Sequence, residues 1–423
     1  MKKIICLLLV VLSLTSVFAG CGGGNGSETI APAAKTNVAK PLTMAEIDAI
    51  PIVRSDMTVD ELREIVTTFM RYQNSLAWTP SKKFDYMNGE RANSWPVGSV
   101  VGGMPYITLG SGSLYNFMHF YDERNGMLDI EAIEALKQPM FEIVTNQCSG
   151  STIWAWNRVS NSLKSDYTTY MFEANGYIPL PLGMNYYDES VTSFKFPELI
   201  DTAQTCIDYG EQKIYEGYAA LQPADGLVHF LGERGGHVMM ASCKAVVVYK
   251  EDGVTIDGDK SYVTILDQTF SKHTTVQSNG IKIDTLGGVD SKKTFKKLFD
   301  GGYLPFTIPE FIGLDPVEAP VTTCTHTKDT MTYKELEVMK VNSNYAISYA
   351  TVTVKNAKGK ELYSQHVYTC EQQLYEFKPF NSLVLDTTLL RSLANGKNTI
   401  EITVRVGSGE LVTVFSGTFA PKQ

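Results

Sequence analysis

The chain has little of what zinc sites, nucleic-acid surfaces and membrane bundles require. No Cys-x-x-Cys pair occurs among its 423 residues, so a structural zinc centre has no support. Lysine and arginine number 37 against 46 acidic residues, a formal net charge of −9. No basic stripe interrupts that balance, which argues against a nucleic-acid partner. Acidic residues form no long block, and no internal repeat is present. The apolar run Ile4 to Val17 is too short to span a bilayer as a helix. Histidines number only six, so any reaction that needs an imidazole has few candidates. Nothing in the pattern implies a metal or an organic cofactor.

What is present begins with an address. Met1-Lys2-Lys3 is a short basic start, and Ile4 to Val17 is the apolar stretch of a secretory signal peptide over residues 1–20. Phe18-Ala19-Gly20-Cys21 resembles a bacterial lipobox, which implies lipidation of Cys21 after cleavage. Residues 21–42 are rich in Gly, Ala, Pro and Lys and read as a flexible tether. The expectation is an extracytoplasmic protein held to the cell membrane by its lipid. Disulfides are permitted there. Cys206 with Cys243 and Cys324 with Cys370 are conceivable pairs, which would leave Cys148 as the free thiol.

The remaining length suffices for two domains, 43–305 and 306–423. In the first, Thr58 caps a helix with Glu61 three residues on, and Leu62, Ile65, Val66 and Phe69 form its apolar face. Residues 82–97 read as loop. Leu114 to Tyr121, Ile130 to Gln138 and Phe196 to Tyr215 carry helical signals. From Gly226 the period shortens, and Leu227 to Phe230, His237 to Met240, Ala245 to Tyr249 and Tyr262 to Leu266 read as strands. Helices before an antiparallel sheet give an α+β order. Residues 305–320 are spaced by prolines and read as a linker. Beyond them, Tyr345 to Val354, Leu362 to Tyr368, Asn398 to Val406 and Glu410 to Phe419 alternate as strands of a small Ig-like β-sandwich.

One stretch organises the chemistry. Asn146-Gln147-Cys148-Ser149-Gly150-Ser151 is a small polar turn, and Thr152-Ile153-Trp154-Ala155-Trp156 follows as an apolar helical run. A thiol at a helix N-terminus is favoured as thiolate, the nucleophilic form. A thiolate needs an imidazole within reach. His237 follows two glycines and opens an apolar strand, so its ring can stand at a strand end. His119 and His229 suit packing better, His326 and His366 belong to the linker and the sandwich, and His273 is the reserve.

The landmarks, in order, resemble the NlpC-type cell-wall cysteine peptidases, a papain-like family. Its Gly-x-Pro-Tyr turn appears as Gly103-Met104-Pro105-Tyr106, its Cys-Ser-Gly as Cys148-Ser149-Gly150, and its Leu-Pro phrase as Leu180-Pro181. Its Leu-x-Pro-Gly-Asp phrase appears as Leu221-Gln222-Pro223-Ala224-Asp225, and its Gly-His-Val strand as Gly236-His237-Val238. The resemblance covers Trp78 to Phe270. It implies Cys148 as nucleophile, His237 as base and Tyr106 as a donor near the sulfur. It also implies a peptidoglycan stem peptide as substrate. The chain departs from the family in the long interval Ile107 to Gln147 between the tyrosine and the cysteine. It also has no obvious orienting group directly after the histidine. Alternation along Tyr262 to Leu266 places Asp267 on one face with Val263 and Ile265, so Asp267 is the first choice for the orienter and Gln268 the second. Asp225 is expected to be structural. The alternative reading is a catalytically inactive surface lipoprotein that binds cell-wall glycan or a protein partner.

Overall fold

The computed structural model describes residues 41–88, 91–107, 110, 112–136, 143–161, 178–179, 201–230, 236–276, 282–369, 376–381, 384–393 and 398–420. The signal peptide, Cys21, the tether as far as residue 40, and Leu180-Pro181 lie outside them.

A capping box starts the first long helix, Val59–Ser75: the Thr58 side chain accepts from the Glu61 N–H, and the Glu61 carboxylate accepts from the Thr58 N–H. Leu62, Ile65, Val66, Phe69 and Met70 are fully covered on its inner face. β1 (Ala77–Pro80), the hairpin of β2 (Phe84–Asn88) and β3 (Arg91–Trp95), and β4 (Val100–Gly102) follow. The stretch read as loop is therefore a hairpin. Its strands are stapled by Phe84 and Trp95, whose rings stack at 6.2 Å. Trp78 is buried against both rings, and its indole N–H donates to the Gly103 carbonyl at 2.8 Å. It lines no groove.

Short helices at Leu114–Met118 and Ile130–Glu134 flank β5 (Tyr121–Asp122) and β6 (Met127–Leu128). The helix Cys148–Trp156 comes next, buried along its whole length. Further on are β7 (Ile178–Pro179), helices Thr202–Tyr209 and Glu211–Ala219, β8 (Gly226–Phe230), β9 (Gly236–Ala241), β10 (Tyr262–Val276) and β11 (Lys282–Thr294). Ala245 to Tyr249 forms no strand, only single bridges from Val246 and Tyr249, both of which are solvent-exposed. A strand there would have no apolar face to bury. Helix Phe295–Asp300 leads into β12 (Leu304–Thr307).

Ten strands join in one sheet, ordered β5-β6-β1-β4-β11-β10-β9-β8-β12-β7. β12 is wholly buried and pairs with β8 on one side and β7 on the other. The proline-spaced stretch thus begins as an integral strand. It then forms a short 3-10 helix, Pro309–Ile312, whose Phe311 lies under the Arg63 guanidinium. Asp225 has the structural role expected of it. It is buried and takes bonds from Arg63 at 2.7 Å, Thr307 at 2.6 Å and the Gln222 N–H at 2.7 Å.

After β13 (Thr322–Cys324), β14 (Thr330–Thr332), helix Tyr333–Val338 and β15 (Val341–Ser343), the remaining strands are β16 (Ile347–Lys355), β17 (Glu361–Tyr368), β18 (Glu376–Phe377), β19 (Asn398–Val406) and β20 (Leu411–Ala420). They form a five-stranded sheet, β14-β20-β19-β16-β17, and a three-stranded one, β13-β15-β18. Helix Thr387–Ser392 lies between β18 and β19 in the chain, the last of ten α-helices among the described residues. The whole is mixed α+β. The described residues, all from 41 onward, belong to one compact unit. The five-stranded sheet is seated on the preceding part by Ser348, which bonds Ser113 and Asn116, and by Arg405 on Asp48. His119 stacks on His366 at 3.9 Å in the same contact. Cys206 and Cys324, one from each conceived pair, are not in disulfides. Neither conceived disulfide forms, so Cys148 is not singled out by elimination.

Candidate active site

Cys148 is the first residue of its helix. The cap residue, Gln147, offers no side-chain bond to the helix N-terminus, so the first-turn N–H groups are not taken up by a side-chain cap. Burial on its own would raise the thiol. The His237 hydrogen bond and charge, the Val238 N–H and the Tyr106 hydroxyl act the other way and hold it below its ordinary value.

His237 stands at the start of β9. Its Nε2 lies 3.3 Å from Asp267 Oδ2, which leaves Nδ1 for the sulfur. Burial would lower this imidazole, but Asp267 and Cys148 together push it up to about 10. Burial would likewise raise Asp267. Its bond to His237 and the Gly288 N–H keep that carboxyl below the usual range. The three shifts support one another, each favouring the charged form of its group: thiolate, imidazolium and carboxylate.

The position of Asp267 depends on a glycine pair in the neighbouring strand. β10 and β11 slip register beside it, with Asp267 opposite Gly288 and Gln268 opposite Gly287. The Gly288 N–H donates to Asp267 Oδ1 at 2.6 Å. A Cβ on Gly288 would stand 2.5 Å from that oxygen. A Cβ on Gly287, at φ 139°, would strike the Asp267 carbonyl. The bulge lets the backbone close around the carboxylate.

Tyr106 reaches the sulfur from the other side, its hydroxyl 3.9 Å from Cys148 Sγ. Burial and the adjacent sulfur raise its phenol, so it stays a donor. Its turn is fixed at several points. Gly103 adopts φ +80° with its missing Cβ against the Asn74 carbonyl. The Met104 N–H donates to the Gln73 carbonyl at 3.0 Å, and the Gln73 side-chain amide donates to the Ser151 carbonyl at 2.9 Å. Tyr106 also bridges Asn146, two residues before Cys148.

Gln268 does not orient the imidazole. Its amide donates to the carbonyls of Met104 at 2.9 Å and Pro105 at 3.4 Å. Neighbouring residues on a strand face opposite ways, so Asp267 and Gln268 serve different sides of β10: one holds the base, the other the Tyr106 turn. His119 and His366 pack against each other and Tyr349. His326 lies on the Phe415 ring in the C-terminal part, and the side chain of His273 falls outside the described residues. His229, expected as packing, stands opposite His237.

The sequence reading missed Tyr303, whose ring lies edge-on to His237 at 6.5 Å, and the Gly287-Gly288 bulge. Paired glycines inside a strand were the available signal for the second. Nothing in the local pattern marks Tyr303, because strand pairing brings it to the site. Among the described residues no group of three or more His, Cys, Asp or Glu side chains gathers as a metal site. No helix among them is long and apolar enough to cross a membrane.

Comparison of the sequence with protein-family models and with curated proteins returns no match.

Proposed function

We propose that this protein is a cysteine hydrolase that cuts an amide bond in peptidoglycan stem peptides, held at the outer face of the cell membrane by a lipid on Cys21. The observation that carries the reading is the meeting of Cys148, His237 and Asp267. They come from separate stretches of chain and form one hydrogen-bonded line. The fold assignment offered with it is a papain-like NlpC-type core over 43–305, followed by an Ig-like β-sandwich over 306–423.

The chemistry runs in two halves. The Cys148 thiolate adds to the amide carbonyl carbon, and the Tyr106 hydroxyl with the Cys148 N–H receives the developing oxyanion. The C–N bond breaks as His237 gives its proton to the departing amine, leaving a thioester. His237, now neutral, takes a proton from water. The hydroxide equivalent attacks the thioester, and the acid leaves as the thiolate is restored. Asp267 fixes the imidazole tautomer and offsets its positive charge throughout.

The substrate class rests on the resemblance of the five phrases around Tyr106, Cys148 and His237. The test incubates the full chain with cell-wall fragments and follows release of new amino groups. A thiol-directed probe on the same protein is read in parallel. Turnover and Cys148 labelling that both vanish in Cys148→Ala support the reading. A protein that binds such fragments unchanged and leaves Cys148 unlabelled overturns it.

A further inference from the structure

The bulge beside Asp267 is itself held from outside the reacting line. Between the pairs Ile265–Ser291 and Asp267–Gly288, β10 has one residue, Leu266, where β11 has two, Val289 and Asp290. Asp290 turns the bulge. Its φ of 53° lies in the left-handed region, and Ala224 is the one other non-glycine residue with positive φ among the described residues. Aspartate enters that region more readily than most side chains but still at a cost, so the conformation persists only where its surroundings fix it.

An ion pair does so. The Arg71 guanidinium donates to Asp290 Oδ2. The two side chains are only 24% and 32% exposed, which sets them apart from freely solvated surface pairs. Arg71 belongs to helix Val59–Ser75, which packs on β10 and β11 and against the Cys148 helix. Two residues along the same helix, Gln73 holds the Tyr106 turn. The contacts then run on without a break. Asp290 is two residues from Gly288, whose N–H donates to Asp267 Oδ1 at 2.6 Å, and Asp267 Oδ2 lies 3.3 Å from His237 Nε2.

We propose that Arg71 is a positioning residue: through Asp290 it fixes the bulge of β11, and so keeps the Asp267 carboxylate aimed at His237. A carboxylate with one oxygen held by a backbone N–H presents the other in a set direction. The inference rests on the roles proposed for Cys148, His237 and Asp267, and adds the residue that holds their orienting group.

The experiment reads the iodoacetamide rate at Cys148 against pH, with thermal melting in parallel, on the full chain. It compares the wild type, Arg71→Met, Arg71→Lys, Asp290→Gly and the double variant Arg71→Met with Asp290→Gly. Glycine takes up φ 53° freely, so Asp290→Gly removes the ion pair without straining the turn. The charged groups that act on His237 and Asp267, namely Cys148, Lys293 and each other, stay in place. A loosened Asp267 holds the imidazolium less well. In Arg71→Met and in Asp290→Gly the inflection near pH 10 should therefore fall by roughly one pH unit, a ten-fold weaker hold. The double variant should fall no further than either single one, and Arg71→Lys should keep part of the effect. The sign separates position from charge alone, because removing a positive charge with Asp267 unmoved would raise the inflection. In an Asp267→Asn background, Arg71→Met should cause no further fall. An Arg71→Met protein that melts earlier yet keeps or raises the inflection has lost stability only, and overturns the proposal. If Arg71→Met does not fold, Asp290→Gly decides in high salt, which screens a distant charge; an unmoved inflection there overturns it. A wild-type Cys148 with neither fast reaction at neutral pH nor that inflection overturns the catalytic reading itself, and the positioning role with it.

Discussion

At the scale of single residues, the proton inventory of the site makes sharp demands. Cys148 is held below its ordinary value by His237, and His237 is pushed up to about 10 by its two partners. Alkylation of Cys148 by iodoacetamide should therefore be fast well below the pH at which a free thiol ionises. A further change should appear near pH 10, as the imidazolium loses its proton. In His237→Ala the supporting bond and charge disappear while burial remains, so the inflection should move upward; a pH–rate profile checks both. Asp267→Asn keeps the shape but removes the charge and permits the wrong tautomer. Turnover is expected to fall between roughly 10²- and 10⁴-fold, and the upper inflection should move down in pH. Steady-state kinetics across pH measure the two effects separately.

Elements explain why these residues meet, and what the sequence could reveal of it. The turn and helix of Cys148, the strand of His237 and the alternation that puts Asp267 on the face of Val263 and Ile265 were all legible, because each depends on local pattern. The capped helix Val59–Ser75 was legible for the same reason. The β2–β3 hairpin was not: its strands carry Asp, Asn, Arg and Ser among their aromatics, so no clean alternation shows. β11 is equally polar and holds two adjacent glycines. Its strand character comes from pairing with β10 over nearly its whole length, which is a tertiary cause. β12 was hidden by Pro305. A strand tolerates proline where the ladder does not need that N–H. The two roles of Asp267 and Gln268 were likewise beyond a one-dimensional reading, since both fitted an orienting acceptor until the facing segments were in place.

The glycine bulge supplies the test at this scale. Gly288→Ala places a methyl group 2.5 Å from Asp267 Oδ1, so either the carboxylate or β11 must move. A loss of about 1–3 kcal/mol in unfolding free energy is expected, together with a downward shift of the His237 inflection. Thermal melts and the alkylation profile measure these. A Gly288→Ala protein with wild-type behaviour in both would show that the bulge does not position Asp267.

For the whole molecule, the seat of the C-terminal sheet sets the response to acid. His119 stacks on His366, and burial, with the nearby His366 and Arg405, lowers His119 to about 3. Burial lowers His366 as well. In the unfolded chain such an imidazole takes up a proton near 6.5, whereas the native protein refuses it until far lower pH. Unfolding therefore consumes a proton in that window, and stability is lost as pH falls from about 6.5 toward 3. Each fully coupled group contributes roughly 1.4 kcal/mol per pH unit there. His119→Phe should flatten the acid limb of the stability curve and leave stability above pH 7 nearly unchanged. Urea titrations at several pH values are the measurement.

Gln73 touches neither sulfur nor phenol, yet its backbone holds the Tyr106 turn and its side chain holds the nucleophile helix. One residue thus acts as a common jig for the two parts to which the proposed mechanism gives catalytic roles. When the surrounding helix breathes, both parts travel together and their spacing is kept. Fraying at that end of the helix would release both at once, so heat should silence turnover before the distant β-strands begin to melt.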